Sequence, residues 1–426
     1  MKEPHQVAGS GEAEKEGGGW RSGWRNVWLL SGTVAWLLLW YFSWFRLVPL
    51  LLRQLGASDL AVSMGYGAMS VAFALMQLPA GILSDRWGRR PFVLWPTFAA
   101  VVMYLVASGA GHWGTLVAAL VGLNVLSAIQ MPAFMALLAE SVPEARRGMA
   151  FAIFEFSVAL AQAAGPALGG LVMDRWGMRG LMRATAGAAL LAAVVRWVWL
   201  RETRAGPGAA PRLVLAGLGR RPLPMLLWVG LCFALIQNLT IFGPFVQLHA
   251  TDVMGMHPRA INYMFAAATV AAAGLGLAGG KLTELWGAGK VLTWAVIGQV
   301  VLLLLWSRTS SSWAAVATFG ATYAFFQLAM IAHNTWRTRI VDPATLGAVL
   351  GGLGTVTGVM GAAATPLGGF VRSRWGSDAP FLLASAIAGV MALSSWRLLS
   401  RSEAAWRRVM KREDHRPHAG RSPSDF

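Results

Sequence analysis

The chain has 426 residues, of which 56% are hydrophobic and 13% charged, with a mean hydropathy of +0.53. A soluble domain of this length carries about twice that charged fraction, and an outer-membrane barrel would be written in alternating segments of about ten residues. Both classes are excluded, and the net charge of +17 has to be read from where it falls along the chain.

Residues 1–25 are hydrophilic and carry no apolar core followed by a small-residue cleavage site, so they read as a disordered or interfacial tail rather than a leader. Apolar stretches of about 20 residues or more follow, each long enough to cross a hydrocarbon layer of about 30 Å as a helix. Twelve helices are predicted, over 27–52, 60–83, 91–110, 113–138, 147–172, 182–200, 223–247, 259–283, 290–306, 313–336, 346–370 and 379–399. The 49 glycines suit close helix contacts in lipid. Residues 201–222, rich in Gly, Pro and Arg, read as a linker, and 401–426 as a second hydrophilic tail. The expected organisation is a tail (1–25), a six-helix bundle (26–200), a linker (201–222), a second bundle (223–400) and a tail (401–426). The fold class is an all-α membrane protein, twelve transmembrane helices in two pseudo-symmetric six-helix bundles. Cys232 is the single cysteine, so neither an intrachain disulfide nor a paired-thiol metal site can form.

One segment repeats. G-I-L-S-D-R-W-G-R-R-P begins at residue 81, and decayed copies begin at 170 (G-L-V-M-D-R-W-G), 280 (G-K-L-T-E-L-W-G) and 369 (G-F-V-R-S-R-W-G). Copies one and three lie 199 residues apart, as do copies two and four, and the same offset aligns Gly56 with Gly255. Two halves, each of two inverted three-helix units, is an architecture that places a binding site near the membrane midplane.

With twelve helices both ends face one compartment, and most of the 36 Lys and Arg residues lie on that side. The positive-inside rule then puts both termini in the cytoplasm. The basic surface is expected to meet anionic lipid headgroups, and no nucleic-acid partner is expected.

The loop between helices 2 and 3 matches G-x-x-x-D-x-x-G-R-R at Gly81, Asp85, Gly88, Arg89 and Arg90. In this signature and in the twelve-helix layout over 26–400 the chain resembles the major facilitator superfamily. The resemblance implies a secondary transporter whose bundles rock about a central cavity, with the signature Asp stabilising the outward-open state. Read from the residues alone, Asp85 at a helix end suits the positive end of helix 11 near residues 343–347, and Arg89 and Arg90 suit headgroups or helix carbonyls; a plain topology-setting loop is the alternative. Helix 5 ends in G-P-A-L-G-G, with Gly165, Pro166, Gly169 and Gly170, and resembles an element of the drug:proton antiporter branch. Ser157 stands where that pattern has a further Gly. Flexing of the helix and simple tight packing are both consistent with these residues. Helix 11 carries an echo, T-P-L-G-G from residue 365.

Charges inside membrane spans are costly and therefore invite functional readings. Arg46 in helix 1 suits an anionic substrate group or an outer headgroup. Glu155 in helix 5 lies about 12 Å beyond Arg147 at 1.5 Å per residue, where a carboxylic acid that keeps its proton suits a coupling role, the alternative being a static pair with a structural Arg; Gln162 shares its face. Arg196 in helix 6 is expected to snorkel to the cytoplasmic end. Trp36, Trp40 and Trp44 wrap one face of helix 1 and either line the cavity or face lipid. Asn124, Ser127 and Gln130 in helix 4, Gln237, Asn238 and Thr240 in helix 7, and Gln327 and Asn334 in helix 10 either bind a solute or cross-link helices. His333 in helix 10 is a further proton-shuttle candidate.

No phosphate loop, zinc-protease spacing or catalytic triad is visible, so no enzymatic activity, cofactor or metal is expected. The expected function is secondary active transport of a small, partly hydrophobic solute across the inner membrane, as proton-coupled efflux by a monomer. Proton symport or uniport of a metabolite such as a sugar or organic anion, and a sensor or scaffold of transporter shape, are the alternatives.

Overall fold

The computed structural model describes residues 10–203, 222–341 and 346–394. Residues 1–9 of the first tail, most of the linker, part of the segment 343–347 and the whole second tail lie outside these residues. The described elements are helices: α1 (Ser10–Phe45), α2 (Val48–Gln54), α3 (Asp59–Trp87), α4 (Arg89–Gly109), α5 (Trp113–Glu140), α6 (Arg147–Trp199), α7 (Pro222–Leu239), α8 (Phe245–Asp252), α9 (Pro258–Trp286), α10 (Ala288–Ser307), α11 (Ser312–Ile340), α12 (Leu346–Ala362) and α13 (Ala364–Trp375), then α14 (Ala379–Ser394). No strand occurs among the described residues.

Several helices depart from the expected spans. α6 is about 80 Å long at 1.5 Å per residue, more than twice a bilayer's apolar thickness of about 30 Å; Gly177, with φ +62°, breaks it into two spans. Expected helices 1, 7 and 11 are each interrupted, giving α1–α2, α7–α8 and α12–α13, with Pro49, Pro244 and Pro366 at or near the breaks. α1 also starts at Ser10, so residues 10–25 continue the first helix rather than forming the loose tail expected. Extending an existing helix into polar sequence avoids a second nucleation cost.

The chain divides into two compact units, residues 1–212 with 256–266, and residues 213–255 with 267–426. In the first, α1 packs along α6, and α4 and α5 pack on each other and on α6 and α3 respectively. Val27, Leu30, Val93, Phe134, Leu137 and Phe154 form part of its core. In the second, α10 packs on α11, and α7 on α12 and α13.

Every positive-φ residue among those described is a glycine, at 56, 88, 177, 255, 287 and 376. These are three pairs separated by 199 residues, and four of them are the last residue of the repeated W-G segments. A left-handed residue lets a helix end and the next begin within a few residues, which only glycine does without strain.

Small residues set the closest helix contact. A Cβ on Gly165 would sit 2.7 Å from Phe42 Cβ and 2.8 Å from the Leu39 carbonyl oxygen, and one on Gly169 would strike the Ser43 carbonyl oxygen. The α1 backbone therefore lies directly on the α6 glycines. In the second unit a Cβ on Gly361 would fall 2.6 Å from Ala234 Cβ, and one on Gly368 2.7 Å from Leu239. In lipid such contacts supply dispersion attraction where the hydrophobic effect does not. Gly169→Ala is expected to destabilise the purified protein by about 1–3 kcal/mol, read as a lower Tm. Gly187→Ala, where a Cβ meets nothing within 4 Å, is expected to leave Tm unchanged.

Candidate functional site

The α3–α4 corner is a charge network built from the signature residues. Gly88 closes α3 and opens α4 at φ +94°. Arg89 pairs with Asp85 one turn back, donates from Nη1 to Ser84 Oγ at 3.0 Å and reaches Glu140 Oε1 from Nη2 at 3.3 Å. Thr203 Oγ1 donates to the other Glu140 oxygen at 2.6 Å. Glu202, just past the end of α6, accepts from the backbone N–H of Arg89 at 3.2 Å and of Arg90 at 2.9 Å. A carboxylate on these unpaired amides caps the positive end of α4. A Cβ on Gly88 would lie 2.8 Å from Glu202 Oε2, so a side chain there would displace the cap.

The same end of the unit ties down the α6 terminus. Arg90 donates to the Trp197 carbonyl at 2.5 Å and Arg25 to the Trp199 carbonyl at 3.1 Å, two cations on a helix C-terminus. Asn26 exchanges hydrogen bonds with the Arg201 backbone in both directions at 3.2 Å. Beside this corner Arg90, Trp95, Phe98, Trp197 and Glu202 line a groove of about 410 Å³.

Deeper in the first unit lies a polar node that the sequence reading missed. Arg196 does not snorkel; it turns inward and is 0% exposed. Its Nε donates to Thr33 Oγ1 and its Nη1 to Thr97 Oγ1, both at 2.9 Å, and its guanidinium lies 5.4 Å from the Phe134 ring centre. Nη2 has no hydrogen-bond partner. Gln130 joins the node, donating to Thr97 Oγ1 at 2.8 Å and to the Val93 carbonyl at 3.1 Å. Gln130 is thus a cross-link between α5 and α4 as the structure stands. The only advance signal was the placement of Thr33 and Thr97 within apolar spans.

The remaining candidates of this unit are dispersed. Arg46 sits at the α1–α2 break, 7% exposed, its guanidinium 4.7 Å from the Phe265 ring centre and 5.7 Å from that of Phe42. Glu155 is exposed on α6 and Gln162 half-buried. Trp40 stacks on Trp176 with centroids 5.9 Å apart. Trp44 does not line a cavity: it is 0% exposed and donates its indole N–H to Thr185 Oγ1 at 2.8 Å. Its polar atom is satisfied inside the core, which is why it can be buried there. Asn124 bonds back to the Leu120 carbonyl of its own helix at 2.9 Å. A further ion pair, Arg259 with Asp174 at 3.2 Å, also belongs to this unit.

In the second unit Asn238 bonds back to the Ala234 carbonyl at 2.8 Å, and Gln237 and Gln327 are half-buried. Asn334 is exposed and accepts from Arg337. His333 is buried against Phe233, ring centres 5.0 Å apart, with Nε2 unpartnered. A second buried imidazole, His249 on α8, was overlooked because it falls just past the expected end of helix 7. It sits near the ion pair of Arg372 with Asp252.

The Arg196 node yields a signed prediction. A buried cation held only by neutral groups does not stabilise a fold relative to an apolar side chain of similar size. Arg196→Met is expected to keep or raise Tm. Thr33→Val, which strands the guanidinium Nε, is expected to cost about 1–3 kcal/mol. The double variant should recover most of that loss; a Tm as low as that of Thr33→Val alone would contradict the node.

The comparisons with known proteins follow the same lines. The family model described as Major Facilitator Superfamily matches residues 29–257 and 226–421. The multidrug resistance protein MdtG of Proteus mirabilis is 24% identical over 372 residues, covering 82% of this chain and 89% of its own. MdtG of Salmonella arizonae is 27% identical over 382 residues, covering 84% and 91%. An uncharacterized transporter of the superfamily type from Methanocaldococcus jannaschii is 26% identical over 156 residues, covering 37% of this chain and only 40% of that relative. Among solved structures, a bacterial homolog of the human lysosomal transporter Spinster, in an inward-facing and occupied conformation, superposes with a TM-score of 0.71 at 16% identity, covering 88% of this chain and 96% of that one. The nucleoside transporter NupG gives 0.72 at 13%, covering 87% and 99%. Matched by the family model in both halves, the chain belongs to the Major Facilitator Superfamily and is a multi-pass membrane transporter.

Proposed function

We propose that this transporter exports a small, partly hydrophobic solute by proton-coupled alternating access. The observation that carries the reading is the likeness to the two MdtG multidrug resistance proteins over more than four-fifths of the chain. The G-P-x-x-G-G element supports it: Gly165 and Gly169 hold α1 against α6 at backbone contact, so movement of one helix is transmitted to the other. In this reading both termini are cytoplasmic, the protein acts as a monomeric carrier rather than a catalyst, and its exposed Trp95 and Trp197 meet lipid at the interface.

The residue roles follow. The Asp85–Arg89–Glu140 network is the latch of the first unit, because each of its bonds depends on a carboxylate being ionised. Glu155 carries the coupling proton. Arg46, over two aromatic faces at a helix break, positions the solute, with Gln162 and Trp40 as further contacts on α6 and α1.

In proteoliposomes a pH gradient is expected to drive ethidium saturably against the direction of proton flow. Ethidium flux no greater than that of protein-free vesicles would remove the reading. Glu155→Gln is expected to abolish gradient-driven ethidium movement and to spare ethidium counterflow; unaltered driven movement would take Glu155 out of the mechanism.

A further inference from the structure

The second unit contains a titratable cluster to which the proposed residue roles assign nothing. α8 is the short helix after the break at residues 240–244, and it carries His249 and Asp252 three residues apart, on one face. His249 is 0% exposed. Its ring lies 5.1 Å from that of Phe381 on α14 at 82° and 5.8 Å from that of Trp306 at the end of α10 at 43°. Phe319 of α11 backs Trp306 at 5.5 Å. Neither ring nitrogen completes a hydrogen bond, and the Ser377 backbone favours the charged ring. An imidazole always carries at least one N–H or lone pair that water would satisfy, so sealing both nitrogens in an aromatic cage is costly.

The charges that act on this ring come from three places: Asp252 on α8 itself, Arg372 on α13, and Asp378 in the turn before α14. The faces of α10, α11 and α14 contribute aromatic rings. Arg372 is already committed. It pairs with Asp252, and its Nη1 donates to Ser377 Oγ at 2.5 Å and to the Ser377 carbonyl at 3.2 Å. Burial and Arg372 oppose a charged imidazole, while the two carboxylates favour one. Burial is the strongest of these influences; Asp378 is the stronger of the two carboxylates, and Asp252, tied to Arg372, is the weaker.

We propose that His249 is a proton-binding site of the transport cycle, in which the imidazolium competes with Arg372 for Asp252. The inference rests on the proton-coupled reading above. The chemistry is one N–H bond formed at the vacant ring nitrogen, with the proton supplied by hydronium from the aqueous phase and returned to water on release. The new donor faces two carboxylates, and bonding to Asp252 loosens the tie between α8 and α13. Because α8 follows a helix break, it can shift without carrying α7 with it. In the cytoplasmic-termini topology this cluster lies at the outer end of the unit, where an exporter takes up its protons.

The test is ethidium transport by the full-length protein in proteoliposomes, with gradient-driven flux and counterflow measured between pH 5 and pH 9. His249→Gln is expected to lower driven flux about tenfold, one pH unit of gradient corresponding to a factor of ten, while counterflow stays within twofold of the parent and loses its pH dependence. Asp378→Asn, which removes a charge favouring the imidazolium, is expected to move the midpoint of the parent's pH profile down by about one pH unit; it also gives the answer if the His249 variant does not fold. Driven flux and a pH profile in both variants matching the parent would overturn the His249 assignment and leave proton-coupled export standing. No gradient-driven flux in the parent itself would overturn proton coupling, and this inference with it.

Discussion

A chain that crosses hydrocarbon many times must close every backbone hydrogen bond within itself, and the places where it turns back are where this is hardest to achieve. Helix ends leave amides and carbonyls without partners. This protein meets the constraint in two ways. Glycines with positive φ make the reversals short, at six positions that fall into three pairs 199 residues apart. Side chains from elsewhere in the unit then cover the exposed ends: Glu202 on the α4 amides, Arg90 and Arg25 on the α6 carbonyls. The signature loop is thus a helix-end device before it is anything else. Its Gly88 makes the turn and leaves room for the carboxylate, its Arg89 holds two acids together, and its Arg90 reaches a different helix.

Between the ends, the helices are held by contact rather than by exclusion of water. Gly165 and Gly169 bring α6 onto the α1 backbone; in the second unit Gly361 brings α12 onto Ala234 of α7, and Gly368 packs α13 against the Leu239 and Phe245 side chains. Contacts of this kind resist separation but offer few side chains that would lock against sliding. The echo of G-P-x-x-G-G at residues 365–369 likewise packs through a glycine, but Gly368 meets side chains where Gly165 and Gly169 meet backbone.

Much of this was legible in the sequence because the information is local. A run of 20 apolar residues encodes a span, and a repeated W-G encodes the turn that follows it. The breaks in helices 1, 7 and 11 were less legible, since a proline within a long apolar run is compatible with a bent helix or an interrupted one. Side-chain fate was legible least. Trp44 and Arg196 looked like candidates for a cavity wall and a snorkelling anchor, and both are buried, because Thr185, Thr33 and Thr97 from distant positions in the sequence supply the partners their polar atoms need. Glu202 was read as part of a linker, yet its carboxylate caps a helix more than a hundred residues earlier in the chain. Such pairings are fixed by tertiary geometry and leave no periodic trace.

The arginines that join helices divide by the chemistry of what holds them. Arg196 is held by hydroxyls and an aromatic ring, none of which changes charge in the range where proteins work. Its surroundings are therefore indifferent to protons, and its role is to join α1, α4 and α6. Arg89 and Arg372 are held by carboxylates. A carboxylate can be neutralised, or drawn away by a competing cation, and either event releases the helix that the arginine was holding. The helix-end arginines thus depend on charged partners, Asp85 and Glu140 in the first unit and Asp252 in the second, while Arg196 depends on neutral ones.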